Sequence, residues 1–219
     1  MTAILLAAGR SIRMGRDKPL IEIDGETLVE RHIRQSRAAG AANALIICNP
    51  DNEPAIRERS SAPTLQQKGA GMSGAVLTGL EATAGPIWLI CVNDLVADKD
   101  YRTIAQAQGG IVIPTRRLER VFEGGYLELE ASLVKRIVEK PPGGCPPGSP
   151  ANIMIHRWTA GQSRLAQLLK AGIDYESAVN TIIAEGARAV AVPIAHWTAL
   201  KTPADLASIK PAMRRPEVS

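Results

Sequence analysis

The chain has 219 residues, enough for one α/β domain or at most two small ones, and its 45% apolar content with only three Trp, three Tyr and one Phe calls for an aliphatic core. The net charge of +4 suits a polyphosphate ligand, but the cations are dispersed and no basic stripe with interleaved aromatics argues for nucleic acid. Cys48, Cys91 and Cys145 lie far apart without metal-ligand spacing, and no run approaches the roughly 18 apolar residues of a membrane span or a signal-peptide core, so the expectation is a cytoplasmic protein with no membrane partner.

The first half alternates two periodicities. Residues 2–8 read as a buried strand, 27–39 as an amphipathic helix stopped by Gly40, and 44–48 as a second strand. Helices follow at 53–59 and 73–82, a third strand at 86–92, a helix at 100–108 and a fourth strand at 111–114. Strands alternating with helices imply parallel βαβ units. The expected architecture is a Rossmann-like three-layer α/β/α sandwich with a mostly parallel central sheet. Such sheets bind ligands at the carboxyl ends of their strands, so the Gly9 loop and Asp94, each following a strand, should share one edge. The second half changes character. Residues 122–139 read as shorter strands about a Gly124-Gly125 turn, and 139–150, with five prolines and three glycines, as a surface loop. Helices are expected at 157–170, 175–185 and 203–209, with a strand at 187–193. One domain over 1–210 and a flexible tail over 211–219 complete the expectation.

The most informative stretch is Leu6-Ala7-Ala8-Gly9-Arg10-Ser11-Ile12-Arg13-Met14-Gly15-Arg16-Asp17-Lys18-Pro19-Leu20. A strand opening into a Gly-containing basic loop suits phosphates, because glycine admits backbone N–H groups to the anion and the cations neutralise it. The spacing matches neither a P-loop nor a dinucleotide fingerprint. It resembles the signature of the nucleotidyltransferase superfamily that includes sugar-1-phosphate nucleotidyltransferases and molybdenum-cofactor guanylyl- and cytidylyltransferases. The resemblance implies an enzyme in which a phosphate attacks the α-phosphate of a nucleoside triphosphate and pyrophosphate leaves. Such chemistry leans on positioning and on positive charge, Mg²⁺ included, more than on acid–base groups.

By that resemblance the backbone of Leu6, Ala7, Ala8 and Gly9 faces the nucleoside and phosphates, with Arg10 beside it. Arg13 holds the terminal phosphates, and Lys18 bridges triphosphate and acceptor. Asp94, closing Val92-Asn93-Asp94, matches the superfamily's Mg²⁺ aspartate. The Gly-rich turn Gln67-Lys68-Gly69-Ala70-Gly71-Met72-Ser73 resembles the base-cradling segment, with Gln67, Gly71 and Ser73 as contacts.

Val138-Glu139-Lys140-Pro141 resembles a motif of the sugar-1-phosphate branch, in which the glutamate binds a sugar hydroxyl and the lysine its phosphate. Asn152 matches a following Asn-x-Gly strand, although Met154 replaces the glycine. Near the C-terminus the branch usually carries Trp-x-Asp-x-Gly-Thr-Pro. Here the run is Trp197-Thr198-Ala199-Leu200-Lys201-Thr202-Pro203, with alanine at the second metal ligand. Lys201 would supply charge instead, or the ion would rest on Asp94 and the triphosphate. His32, His156 and His196 read as structural. A sugar 1-phosphate is the favoured acceptor. The alternatives are molybdopterin, phosphocholine, inositol phosphate or methylerythritol phosphate, or a non-catalytic nucleotide-binding homologue motivated by Ala199. A homodimer is compatible with the sequence, which leaves the base undetermined.

Overall fold

The computed structural model describes residues 1–11 and 14–209. Arg13 and the 211–219 tail therefore lie outside the described residues. Parallel strands β1 (Thr2–Leu6), β4 (Asn43–Cys48), β5 (Thr64–Gln66) and β6 (Ile87–Cys91) form one half of a nine-stranded sheet, and β8 (Ile111–Thr115) pairs in parallel with β12 (Ala189–Pro193). Between the two halves, β11 (Ile155–Trp158) runs antiparallel to both β6 and β8, so the six parallel strands all point one way. The antiparallel hairpin β9 (Gly125–Glu130) and β10 (Leu133–Glu139) is added on the β12 edge, giving the order β5-β4-β1-β6-β11-β8-β12-β10-β9. Two small antiparallel pairs stand apart from this sheet. One joins β2 (Glu22–Ile23) to β3 (Glu26–Thr27), and the other β7 (Asp94–Val96) to β13 (Trp197–Ala199).

Period-two alternation in the strands sends successive side chains to two cores. Ala3 and Leu5 of β1, with Trp88 and Ile90 of β6, pack against α1 (Leu28–Ala38), α2 (Glu53–Arg59) and α4 (Asp98–Gln106). Ile4, Leu6, Ile87 and Leu89 face α3 (Gly71–Glu81), α5 (Gln162–Lys170) and α6 (Tyr175–Ala184). This is the three-layer α/β/α sandwich, with a mostly parallel sheet. Full burial of each large apolar side chain contributes about 1.5–3 kcal/mol. Local chemistry sets the helix ends. Thr27 and Glu30 form a reciprocal capping box on α1, and the Asp174 carboxylate accepts from Ser177 N on α6. The short α7 (Pro203–Ala207) starts from a Thr202–Asp205 box.

Three expectations need correction. Residues 157–158 close the strand Ile155–Trp158 and the expected 157–170 helix starts only at Gln162; buried His156 is held in the strand by Tyr175 and Asn152, and Arg157 donates to the Ala107 carbonyl. The hairpin turns at Ala131, whose φ is +53°, while Gly125 begins β9. A Cβ on Gly125 would lie 2.4 Å from Glu139 Oε2, so this glycine serves a close approach rather than a turn. Finally, β6 ends at Cys91, and Asp94 opens the separate strand β7.

Candidate active site

A cavity of about 700 Å³ opens at the carboxyl ends of β1, β4 and β6. Leu6, Ala7, Ala8, Gly9 and Arg10 line it, together with Asn49 and Asp51 after β4, Gln67, Gly69, Ala70 and Gly71 before α3, and Cys91 and Asn93 after β6. Side chains from the neighbouring loop hold the first wall. Asn52 Nδ2 donates to the Ala7 carbonyl at 2.9 Å and Asn49 Nδ2 to the Ala8 carbonyl at 3.2 Å. Among the described residues no hydrogen bond engages the N–H groups of Ala8, Gly9 or Arg10. Carbonyls tied back and N–H groups left for a ligand suit an anion.

The facing wall is the start of α3. Among the described residues no side chain caps this helix, so its first N–H groups and the positive end of its dipole meet the cavity. Gln67 shapes the approach, its Nε2 donating to the Gly69 and Gly71 carbonyls at 2.8 Å each. Gly74 lets the loop fold back over the helix, since a Cβ there would sit 2.8 Å from the Lys68 carbonyl oxygen. Ser73 is placed differently from Gln67 and Gly71. It is not on the cavity wall, and its Oγ accepts from Tyr175 N at 3.0 Å, tying α3 to α6.

Lys18 and Asp94 come together beside this cavity. Lys18 is 8% exposed in a short 3-10 turn, Lys18–Leu20, and its backbone N–H donates to Ser11 Oγ at 3.0 Å. Asp94, 9% exposed, accepts from Trp197 Nε1 at 2.7 Å and from Met154 N at 3.1 Å. Burial pushes its carboxyl up to about 6, opposed by those two hydrogen bonds and by the positive charges of Lys201 and Lys18. Ala199 stands directly opposite Asp94 in the β7–β13 register. Directly opposed side chains share a face, so the departure seen in the sequence lies against the acidic centre. Among the described residues no group of three or more His, Cys, Asp or Glu could hold a metal. One carboxylate fits an ion that takes its other ligands from water and phosphate, as Mg²⁺ does.

The acceptor candidates divide. Glu139 and Asn152 converge on Gly125, whose carbonyl accepts from Asn152 N at 2.8 Å. Burial raises the Glu139 carboxyl, opposed by Lys140 and Lys201. Lys201 joins this corner to Asp94, for its charge reaches both carboxylates, while its ammonium lies 3.8 Å from the Phe122 ring centre and donates to the Glu123 carbonyl. Lys140 is turned out to solvent, with 79% of its side chain exposed and Nζ 3.8 Å from Glu139 Oε1. Glu176, which the motifs do not touch, joins the corner. Burial beside Glu139 and Asp174 pushes its carboxyl up to about 7. Nothing in its local sequence announces this, because only the packing of α6 against β10 brings it there.

A model of the MobA-like NTP transferase domain matches residues 3–191. A protein of Opitutus terrae, described as a "probable molybdenum cofactor guanylyltransferase", is 34% identical over 91 residues, which span 41% of this chain and 45% of that relative, so the match reaches less than half of the relative's length. Among solved structures, a Bacillus anthracis protein described as a glucose-1-phosphate thymidylyltransferase superposes with a TM-score of 0.82 at 14% identity, covering 100% of this chain and 97% of the other. The CTP:phosphocholine cytidylyltransferase of Streptococcus pneumoniae gives 0.76 at 14%, covering 94% and 96%. The structural likenesses carry the fold, and the family model shows the family: the chain belongs to the MobA-like NTP transferase domain family.

Proposed function

We propose that the chain transfers a nucleotidyl group, with guanosine triphosphate as the first donor to test, to a phosphorylated acceptor that is not a sugar 1-phosphate, molybdopterin being the first acceptor to test. The observation that carries the transfer is the meeting of the Gly9 loop, Lys18 and Asp94 at one sheet edge. The choice of acceptor and base is supported by the Opitutus terrae relative's name. The outward Lys140 weakens the sugar-phosphate alternative, since a 79% exposed ammonium is a poor phosphate anchor.

In this reading the triphosphate lies along the N–H groups of Ala8 to Arg10 and the α3 N-terminus. Lys18 draws the acceptor phosphate oxygen toward the α-phosphorus. That oxygen forms the new P–O bond as the bond to the pyrophosphate oxygen breaks, and Lys18 with the loop N–H groups offsets the charge gathered there. Mg²⁺, held by Asp94 and the phosphates, would supply further neutralisation of the triphosphate. Trp197 and Met154 N hold the Asp94 carboxylate oriented and ionised.

The test is pyrophosphate release with Mg²⁺ across five nucleoside triphosphates, each with molybdopterin, sugar 1-phosphates, phosphocholine and inositol phosphate. Release that needs GTP and molybdopterin is the expected result. Release with a sugar 1-phosphate alone would return the acceptor assignment to the sugar branch.

A further inference from the structure

Two histidines are fully buried and are built alike. His32 Nδ1 lies 2.7 Å from the Tyr101 hydroxyl, and His156 Nδ1 lies 2.7 Å from the Tyr175 hydroxyl. Burial pushes each imidazole down to about 3, so each ring is neutral and carries a single N–H. They differ at the other nitrogen. His32 Nε2 meets the Val92 carbonyl at 3.3 Å, a backbone contact. His156 Nε2 meets the side-chain Oδ1 of Asn152 at 2.9 Å.

This second arrangement has a direction. Asn152 Oδ1 accepts only, so His156 Nε2 carries the proton and Nδ1 accepts from the Tyr175 hydroxyl. With Oδ1 engaged, the Asn152 amide has its N–H groups left to present, and among the described residues nothing accepts from them. They point into company. Around the place a Cβ would occupy on Gly125, Glu139 Oε2 lies at 2.4 Å and Asn152 Nδ2 at 3.4 Å. A hydrogen-bond acceptor and donor thus flank a notch that only glycine leaves open. Met154, two residues beyond Asn152, donates its backbone N–H to Asp94, which places the notch beside the acidic centre.

We infer that His156, held by Tyr175, is a positioning residue that fixes the Asn152 amide so that its N–H groups face the notch beside Glu139, where the pair takes the acceptor substrate by an edge carrying one donor and one acceptor, such as adjacent hydroxyls or an amide-like ring edge. The inference rests on the transferase reading above. A ring protonated at Nδ1 instead would confront Asn152 with an acceptor, turn the amide over and set its oxygen against the Glu139 carboxylate. Tyr175 also anchors the chain elsewhere, for its backbone N–H donates to Ser73 on α3, the helix whose first turn lines the nucleotide cavity.

The experiment has two arms. In the first, ¹⁵N NMR of the imidazoles in the intact protein needs no turnover. The expected signature is a neutral Nε2–H ring for His156 from about pH 5 to about pH 9, the range around the ordinary histidine value. An Nδ1–H ring would overturn the inference whether or not any acceptor reacts. In the second, His156→Leu, His156→Gln and Tyr175→Phe are compared with wild type using the donor and acceptor that pass the pyrophosphate assay. His156→Leu should raise acceptor KM about tenfold, with nucleotide KM and the nucleotide-induced melting shift unchanged. His156→Gln, which restores a donor toward Asn152, should recover most of that loss. Tyr175→Phe, which keeps the ring's volume, should give a smaller rise in the same KM. Equal losses in both substrates, or no difference between Leu and Gln, would overturn the positioning role. Wild type silent with every acceptor would count against the function proposed above, leaving the NMR signature to decide the chain of hydrogen bonds.

Discussion

The two ends of the active edge are built from different materials. The cavity proposed for the nucleotide is walled by main chain, namely the turn from Leu6 to Arg10 and the first turn of α3, trimmed by glycines and tied back by Asn49, Asn52 and Gln67. The corner proposed for the acceptor is built from side chains. Glu139 comes from the end of β10, Asn152 from the loop before β11, and Lys201 from the segment after β13, three segments that only the fold brings together. Main chain in a turn following a buried strand needs little outside support. Convergent side chains need the whole fold, and they tolerate change less locally.

Substitutions can break this contrast at its strongest point first. Lys18→Ala should cut turnover by about 100-fold or more while the circular dichroism spectrum is kept, since one charge aimed at the transferring phosphate is typically worth that much. Wild-type turnover would remove Lys18 from the site. Asp94→Asn should cost about as much, and it carries a pH signature. Wild-type kcat/KM should fall as pH drops through about 6, where the Asp94 carboxylate takes up its proton, and this limb should vanish in the variant. Stability moves the other way. A carboxyl raised from 3.8 to about 6 favours the folded state fully below 3.8 and loses that contribution as pH rises through about 6. The melting temperature of Asp94→Asn relative to wild type should therefore climb across that interval, which thermal melts at pH 4, 6 and 8 would read.

Ala199→Asp sharpens the comparison on the acidic side. It places a second carboxylate opposite Asp94 in the β7–β13 register and should lower the Mg²⁺ concentration for half-maximal activity by about tenfold, one added charge-assisted ligand. An unchanged Mg²⁺ requirement would mean the ion does not sit between these strands. Trp197→Phe should have the smallest effect. It removes the 2.7 Å hydrogen bond to Asp94 Oδ1 that favours the ionised form, so the acid limb of kcat/KM should shift upward in pH with little loss at pH 8.

The parallel half of the molecule was legible because its signals are local. Apolar runs ending in glycine or polar residues gave β1, β4, β6 and β8, the amphipathic pattern gave α1, and α2, α3 and α4 also fall where helices were expected, with bounds shifted by up to a few residues. The Gly9 loop and the α3 turn lie at one edge because parallel strands all deliver their following loops there. What failed was the antiparallel insertion. Ile155–Trp158 carries a histidine and an arginine into the sheet, and only the tertiary structure shows the Tyr175 hydroxyl and the Ala107 carbonyl that bond to them. Ser73 looked like part of a base-binding turn, yet its hydroxyl is used by Tyr175, 102 positions away in the chain. Lys140 matched a motif, but a φ of +43° and the following prolines carry it outward.

The sequence by itself determined the family-like loop, the alternation that makes the layers, and the missing carboxylate at Ala199, because each is a property of contiguous residues. The tertiary structure alone decided that Ala199 faces Asp94, that Glu139 meets Asn152 across Gly125, and that His156 sets the orientation of that amide. The physical reason is that these are pairings between segments held in register by the sheet and by α6, and the energy of a buried hydrogen bond depends on its partner's position, which no local pattern encodes.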